Sequence, residues 1–357
     1  MTKTDIGPIS YELMLPPIIK RNYGKWKWHE ILEAGVIEHV AESGERLYTV
    51  RAGVPKIISV HGVRELCDLA DKYCGGHLKF TSRANIEFLV EDRKNIAPLK
   101  ADLKTLGLPV GGTGHSFKTI IQCPGWLHCH TAIIDSPGVA KALHDALYEH
   151  FFEINMPAKL KIAIAGCLNM CGAIHCSDIA IIGMHRRPPV VNDEIVMKSC
   201  EIPTLVASCP TAAIRPKGKS VEVNPERCMY CGNCYTVCPG MQIHDPRYDG
   251  LSIWVGGKAT NARTPPMFSR LAIPYLPNNP PRWPETIAAA KNIVDHWLKG
   301  AEPGERVGDW IERIGWEQFF EVTGIPFTDK HIDDFIFSIP TFRTTTQFKY
   351  SGPEVTI

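Results

Sequence analysis

Cys123-Pro-Gly-Trp-Leu-His-Cys129 and Cys167-Leu-Asn-Met-Cys171 are the two stretches on which the reading of this chain turns. A C-x5-C followed by a C-x3-C supplies four thiols in two close pairs. A cubane iron–sulfur cluster takes one soft sulfur ligand per iron, so four thiols are what it needs. Ser136-Pro137 reads as the N-cap and first residue of a helix, and Val139, Leu143, Leu147 and Phe151 repeat at helical spacing. After Met156-Pro157 the period becomes two. Leu160, Ile162 and Ile164 alternate with Lys159, Lys161, Ala163 and Ala165, as in a strand. Lys159 and Lys161 then share the face leading to Cys167, and two ammonium groups aimed there imply an anionic substrate or cofactor. Cysteine pairs also occur as buried thiols or zinc ligands. The lysine pair, and spacings other than the C-x2-C of structural zinc, favour the cluster.

A second cysteine set lies further on. Cys228-Met-Tyr-Cys231-Gly-Asn-Cys234-Tyr-Thr-Val-Cys238-Pro239 is a bacterial ferredoxin run, C-x2-C-x2-C-x3-C-P. Its first three cysteines fill three corners of a cube, and the fourth conventionally serves another cluster. Cys200 and Cys209-Pro210 are the remnant of a first half. Cys209, Cys228, Cys231 and Cys234 are therefore expected to hold one cubane. Cys200 and Cys238 cannot hold another, and with Cys67, Cys74 and Cys176 they read as buried packing.

Composition limits the alternatives. A chain of 357 residues, 44% apolar and 22% charged, predicts a soluble protein of two or three domains. A net charge of +1 argues against a general nucleic-acid or membrane role. No apolar run has the length of a membrane span, and Met1-Thr-Lys-Thr-Asp-Ile-Gly-Pro is not a signal peptide. Thirteen cysteines in such a chain point to metal ligation in a reducing cytoplasm rather than to disulfides.

Residues 1–45 read as an irregular arm that packs on a partner. From Leu47 to Pro109 the pattern is strand, helix, strand, helix, with Val63, Leu66 and Leu69 on the first helix and Ile96, Leu99 and Leu103 on the second. Leu78 to Val90 reads as a strand in which Phe80, Ile86 and Phe88 share one face, and Thr81 and Arg83 the other. Gly111-Gly-Thr-Gly114 is a turn, and Asp178-Ile-Ala-Ile-Ile-Gly a further strand before Arg186 and Arg187. Pro274 to Pro284 reads as a proline-rich connection. Two amphipathic helices follow, one with Ile287, Ile293, Val294 and Trp297, the other with Val307, Trp310, Ile311 and Ile314. The tail from His331 shows no period and reads as a second wrapping segment.

Both cysteine pairs, with Pro157-Ala-Lys159-Leu-Lys161 upstream of the second, resemble the sulfite/nitrite reductase superfamily. Gly125-Trp-Leu-His-Cys129-His-Thr, Cys167-Leu-Asn-Met-Cys171-Gly-Ala and His175-Cys176-Ser-Asp-Ile-Ala resemble in particular the beta subunits of dissimilatory sulfite reductase. One departure is visible. Gly166-Cys167 stands where many of those subunits have adjacent cysteines, and Cys123 takes the place of the fourth ligand, as in single-chain sulfite reductases.

The resemblance implies an α+β fold of sulfite reductase-type mixed α/β domains with an inserted ferredoxin-like [4Fe–4S] domain. The expected boundaries are an arm (1–45), a ferredoxin-like half-domain (46–120), a siroheme and cluster domain (121–196), the insert (197–245) and the completion of the siroheme domain with helices and tail (246–357). It implies that Cys123, Cys129, Cys167 and Cys171 hold a [4Fe–4S] cluster, that Cys171 also bridges to siroheme iron, and that backbone near Gly111–Gly114 lies by the siroheme. Arg83, Lys159 and Lys161 would hold sulfite. Arg186 and Arg187 would pair with siroheme carboxylates, which Lys258, Arg263 and Arg270 could also face, and Lys118 could replace a family arginine. The implied activity is the six-electron reduction of sulfite to sulfide, or its reverse in sulfur oxidation. It would run in an α2β2 assembly with a homologous alpha subunit, and a DsrC-type carrier would receive the sulfur. Nitrite reduction uses the same site but usually lacks the insert. A pure electron-transfer subunit would explain eight cysteine ligands and leave Arg83, Lys159 and Lys161 without a role.

Overall fold

The computed structural model describes residues 10–332, 349, 350 and 352. Among the described residues the strands form two five-stranded sheets and three two-stranded ones. The chain divides into two compact units, one of residues 1–119 with 148–159, the other of 120–147 with 160–357.

The first unit begins with a short helix α1 (Pro17–Arg21) and the strands β1 (Trp26–Glu33), β2 (Val36–Ala41) and β3 (Arg46–Gly53). Helix α2 (Val60–Cys74), β4 (Leu78–Phe80), β5 (Asn85–Val90) and α3 (Ile96–Thr105) follow. The sheet runs antiparallel in the order β1-β2-β3-β5-β4. Residues 26–41, expected to be irregular, thus make its outer hairpin. In β2 the buried face carries Val36, Glu38 and Val40, while Ile37 and His39 lie half-buried on the other, and β1 outside it is mostly exposed. The buried face of the sheet packs Val50, Ala52, Ile86 and Phe88 against Leu66 of α2 and Leu99 of α3. Ser59 caps α2 by accepting the Gly62 N–H, and Gly75, at φ 59°, ends it in the left-handed conformation.

Leu78 to Val90 is a hairpin rather than one strand. Phe80 pairs across it with Ile86, and Leu78 with Phe88. Arg83 lies in the turn, followed by Ala84 at φ 55°. At its centre Glu87, 1% exposed, accepts from Arg51 Nε at 2.8 Å and pairs with Lys79. Burial pushes this carboxyl up, but the Lys79 hydrogen bond and the charge and hydrogen bond of Arg51 outweigh it and hold it below the usual range. Its stabilisation is therefore complete above the ordinary carboxylate range and is lost as pH falls through the depressed value. Glu87→Gln is expected to cost about 3 kcal/mol at neutral pH, with its denaturation curve converging on the wild-type curve in acid. An equal gap at about pH 3 and about pH 7 would contradict this.

Strands β6 (His115–Phe117) and β8 (Asn155–Leu160) pair at the end of this unit. Gly111 is needed at the loop before them, because a Cβ there would meet the Phe151 carbonyl oxygen at 2.5 Å.

The second unit is built on β7 (Ile121–Gln122), β9 (Ile162–Ala165) and β10 (Ile179–Met184). These three are parallel neighbours, and every residue of β9 and β10 is buried. Parallel strands covered on both faces read as continuous apolar runs, as Ile162-Ala-Ile-Ala165 and Ile179-Ala-Ile-Ile182 do. The strand expected over 159–165 is therefore two strands, β8 and β9, with Lys161 at the break. Helix α4 (Ser136–Ala146) packs on β9, and Val139, Leu143, Leu147 and Phe151 are buried as their spacing predicts.

After β10 the chain leaves the sheet. It forms β11 (Val190–Val191), α5 (Asp193–Ser199), α6 (Ile202–Ala207), the hairpin β12 (Ile214–Lys217) with β13 (Ser220–Val223), α7 (Asn233–Val237) and β14 (Met241–Gln242). It then returns as β15 (Gly250–Val255), antiparallel to β10, followed by β16 (Arg270–Pro277) at the sheet edge. Part of the expected proline-rich connection is thus strand. The two expected helices are α8 (Pro284–Gly300) and α9 (Val307–Ile314), and a third, α10 (Trp316–Thr323), follows Gly315. Most of the expected tail from His331 lies outside the described residues. No described helix is long and apolar enough to cross a membrane.

Candidate active site and cluster ligands

Three parallel strands place their carboxyl ends along one edge, where open α/β sheets bind ligands. Cys123 directly follows β7, Gly166-Cys167 follow β9, and His185, Arg186 and Arg187 follow β10. The Cys123 N–H donates to the Ile164 carbonyl at 3.1 Å, and the Gly166 N–H donates to Cys123 Sγ at 3.0 Å. The approach is so close that a Cβ on Gly183 would lie 2.3 Å from the Gly166 oxygen. Thr131 Oγ1 sits 3.2 Å from Cys129 Sγ and 3.7 Å from Cys167 Sγ, and so brings the two pairs together. Ser136, expected to cap α4, is wholly buried with its Oγ 3.2 Å from Cys123 Sγ. Asp135 holds the N-cap position instead.

Cys171 differs from the other three. Cys123 and Cys167 are buried and Cys129 half-buried, but Cys171 is exposed. Met170 before it has φ 52° and Gly172 after it φ 144°. A non-glycine residue held in the left-handed region, as Met170 is beside Cys171, is strain of the kind found at functional sites.

The second set is gathered by turns. The Ala213 N–H donates to Cys209 Sγ at 3.1 Å. Tyr230 at φ 58° and Gly232 at φ 80° bend the loop between Cys228 and Cys234, and Cys209, Cys228, Cys231 and Cys234 line one small cavity.

Burial pushes the Cys228 thiol up to about 11 and the Cys234 thiol to about 12, the neighbouring thiols of the set adding to both. Cys167 is raised by burial, against a pull from the Asn169 N–H, with Cys129 and Cys123 adding to the rise. Gathering thiols where each opposes the ionisation of the next makes sense when a cation compensates them. Both sets fit an iron–sulfur cluster on that ground. Cys231 is raised first by burial and also, more weakly, by Cys209 and by Cys167 of the other set. Thr131 and Asn169 beside the first set line one small cavity with Cys231 of the second, so the two sets are neighbours.

The expected cationic residues are distributed as follows. Arg83 donates from Nη1 to the Thr119 carbonyl at 2.9 Å, and the Thr119 hydroxyl donates to Asn85. Lys159 is half-buried on β8. Both belong to the first unit and Lys161 to the second, so sharing one strand face does not describe the two lysines. The Lys161 N–H donates to Asp178 Oδ2 at 2.7 Å. Arg186 stacks on Tyr275, 3.9 Å from the ring centre, and donates to the Gly352 carbonyl. Arg187 pairs with Asp245 at 3.0 Å. The Nε atoms of both arginines are buried without a partner among the described residues, leaving donors for anionic groups.

Other expectations change. Lys118 is buried, its ammonium bonded to the Gly112 and Gly114 carbonyls. Lys258 is 1% exposed and pairs with Asp309 at 2.7 Å, so it is part of the core. Arg263 bonds to the Pro303 carbonyl, and Arg270 lies over Trp316. Cys67 and Cys176 are exposed rather than packed. Cys200 and Cys238 form a disulfide.

From the sequence Asp178 reads only as the start of a strand, without a role, and the His185–Asp249 pair is not marked. Asp178, wholly buried, takes two hydrogen bonds from Arg306 at 2.7 Å. His185 Nδ1 lies 2.8 Å from Asp249 Oδ1, and its Nε2 faces Gly232 in the second cysteine loop. Asp178 stood in the quoted Cys176-Ser-Asp segment, but its partner is 128 residues away.

Two family models match, Nitrite/Sulfite reductase ferredoxin-like half domain over residues 39–106 and Nitrite and sulphite reductase 4Fe-4S domain over 113–331. Curated relatives match along almost the whole length. The dissimilatory-type sulfite reductase subunit beta of Archaeoglobus fulgidus is 49% identical, covering 98% of each chain. This chain belongs to that family. The family comprises oxidoreductases of sulfur compounds with iron–sulfur and siroheme centres. The beta subunit of Nitratidesulfovibrio vulgaris is 48% identical, over 97% of this chain and 95% of that one. The alpha subunit of the same organism is 25% identical, over 84% of this chain and 75% of that one. A crystal structure of dissimilatory sulfite reductase I shares the fold. Its TM-score is 0.79 at 22% identity, and the match covers 87% of this chain and 79% of that one.

Proposed function

We propose that this chain is the beta half of an enzyme that reduces sulfite toward sulfide at a siroheme, that it carries two [4Fe–4S] clusters, and that it hands sulfur to a DsrC-type carrier. The observation that supports this most is the juxtaposition of two complete cysteine sets, with Thr131 and Asn169 of the first lining one cavity with Cys231 of the second. Cys123, Cys129, Cys167 and Cys171 hold the first cluster, and Cys209, Cys228, Cys231 and Cys234 the second, in an insert spanning 197–245. When bound, the siroheme and its cluster supply a coordination site for sulfur and single electrons for a six-electron reduction.

The remaining work falls to the chain's own groups. Cys171, the exposed thiol of its set, is the one free to reach a second metal. Arg83, Lys159 and Lys161 bind the sulfite anion by charge and hydrogen bonds, and the two lysines deliver protons to its departing oxygens. Arg186 and Arg187 offer their orphan Nε donors to siroheme carboxylates. Iron analysis of the assembled enzyme should give two cubanes for this chain, with one lost in Cys123→Ser. A single cubane, or two surviving that substitution, would refute the ligand assignment. An electron-transfer subunit without siroheme would lack its visible absorption, and that spectrum decides between the two classes.

The partner follows from a count in the sequence. Single-chain sulfite reductases hold two copies of the half that surrounds the cluster motif, and outside its ferredoxin run this chain has one C-x5-C and one C-x3-C. The alpha subunit provides the other half, in a cytoplasmic α2β2 assembly. Expression alone should give protein that is poorly soluble or free of siroheme, and co-expression with alpha should restore both properties. A soluble, siroheme-loaded, active monomer would overturn this.

A further inference from the structure

In a two-cluster ferredoxin the last cysteine of the C-x2-C-x2-C-x3-C-P run serves the second cluster. Here that cysteine, Cys238, is joined to Cys200, with Cα atoms 5.5 Å apart, while the other eleven cysteines are free. The bond ties two helix ends, since Cys200 is the C-cap of α5 and Cys238 the C-cap of α7. Helix α7 has only five residues and carries Cys234, and so short a helix has little stability of its own. The Cys238 N–H donates to the Cys234 carbonyl at 2.9 Å, and its own carbonyl accepts from Met241 at 3.1 Å. Cys238 is wholly buried, in a core with Cys234, Val196 and Leu205, and Cys200 is half-buried at its edge.

We propose that Cys200–Cys238 is a redox-active disulfide that latches the Cys234 helix at the place a second cluster would have occupied. A dithiol reductant opens it. One thiolate of the reductant attacks Cys200 Sγ, on the half-buried residue of the pair, and the S–S bond breaks with its electron pair leaving on Cys238, which takes up a proton. The second reductant thiolate then displaces Cys200 as a thiol. Two electrons and two protons pass to the protein, and the reductant closes to its own disulfide. Opening frees the C-terminal end of α7 and loosens the hold of Cys234 on iron. The disulfide and its reduction stand on the sulfur pair alone, whereas the latch rests on the reading of Cys234 as a cluster ligand.

Holoenzyme is denatured with iodoacetamide, once directly and once after incubation with a dithiol, and digested. The peptides of Cys200 and Cys238 should be linked in the first sample and separately alkylated in the second. Both cysteines alkylated without reductant would overturn the proposal. Iron release to a chelator, followed by visible absorption, should be about tenfold faster after reduction and in Cys200→Ser than in the oxidised wild type. Equal rates in oxidised and reduced wild-type protein would overturn the latch, independently of how the variant folds. Linked peptides in a protein with iron only at the first cysteine set would instead refute the two-cluster reading and, with it, the latch, leaving the disulfide assignment intact.

Discussion

Replacing Lys159 or Lys161 with methionine is expected to lower sulfite turnover about a hundredfold, the effect of removing about 3 kcal/mol of preorganised charge stabilisation. Methionine keeps the length and apolar stem of lysine and removes only the ammonium group. Neither residue contributes a cluster ligand, so iron content and siroheme absorption should remain those of wild type. The two substitutions are expected to act differently on folding. Lys159 lies within β8, where methionine suits a half-buried position. Lys161 sits at the break between β8 and β9, and its main chain is held by Asp178, a bond that substitution of its side chain leaves intact. Arginine at either position should recover part of the rate, because it restores charge without the compact geometry of an ammonium. Wild-type turnover in both methionine variants would remove the lysines from the site.

Asp178→Ala should strongly destabilise the second unit. Asp178 is wholly buried and Arg306 4% exposed, joined by two hydrogen bonds of 2.7 Å. Removing one member of such a pair leaves a buried, unpaired charge and costs about 3–5 kcal/mol. The loss also reaches Lys161, proposed above to bind sulfite, because Asp178 Oδ2 accepts its N–H. The double variant Asp178→Leu/Arg306→Met should regain most of the stability, since apolar residues of similar volume replace buried ion pairs at little cost. It should not regain turnover, because the anchor of Lys161 stays absent. Thermal unfolding at the wild-type temperature in Asp178→Ala, or full activity in the double variant, would show that the pair neither stabilises the unit nor positions Lys161.

The cysteine spacings, the helix of Val139, Leu143 and Leu147, and the strands Ile162–Ala165 and Ile179–Met184 were legible because each depends on neighbours within a few residues. Ligand sets on short loops are written as local spacing, and amphipathic helices as a period. Residues 159–165 read as alternation, however, and only the structure shows that β9 and β10 are buried on both faces. Nor could the break at Lys161 be read. Alternation continues through it, and only the pairing of β8 with β6 and of β9 with β7 and β10 decides that two sheets take the two halves. Arg83 looked like a strand residue for the same reason, since Phe80 and Ile86 suit one face of a strand as well as opposite arms of a hairpin. Other features depend on residues far apart in the chain. Cys200 meets Cys238 across 38 positions, His185 meets Asp249 across 64, and Asp178 meets Arg306 across 128. No period or spacing encodes such pairs. They depend on a chain that leaves the sheet after β10 and returns as β15. The sequence by itself determined which atoms could ligate metal. The tertiary structure decided which of them meet, and that Cys200 and Cys238 close on each other instead.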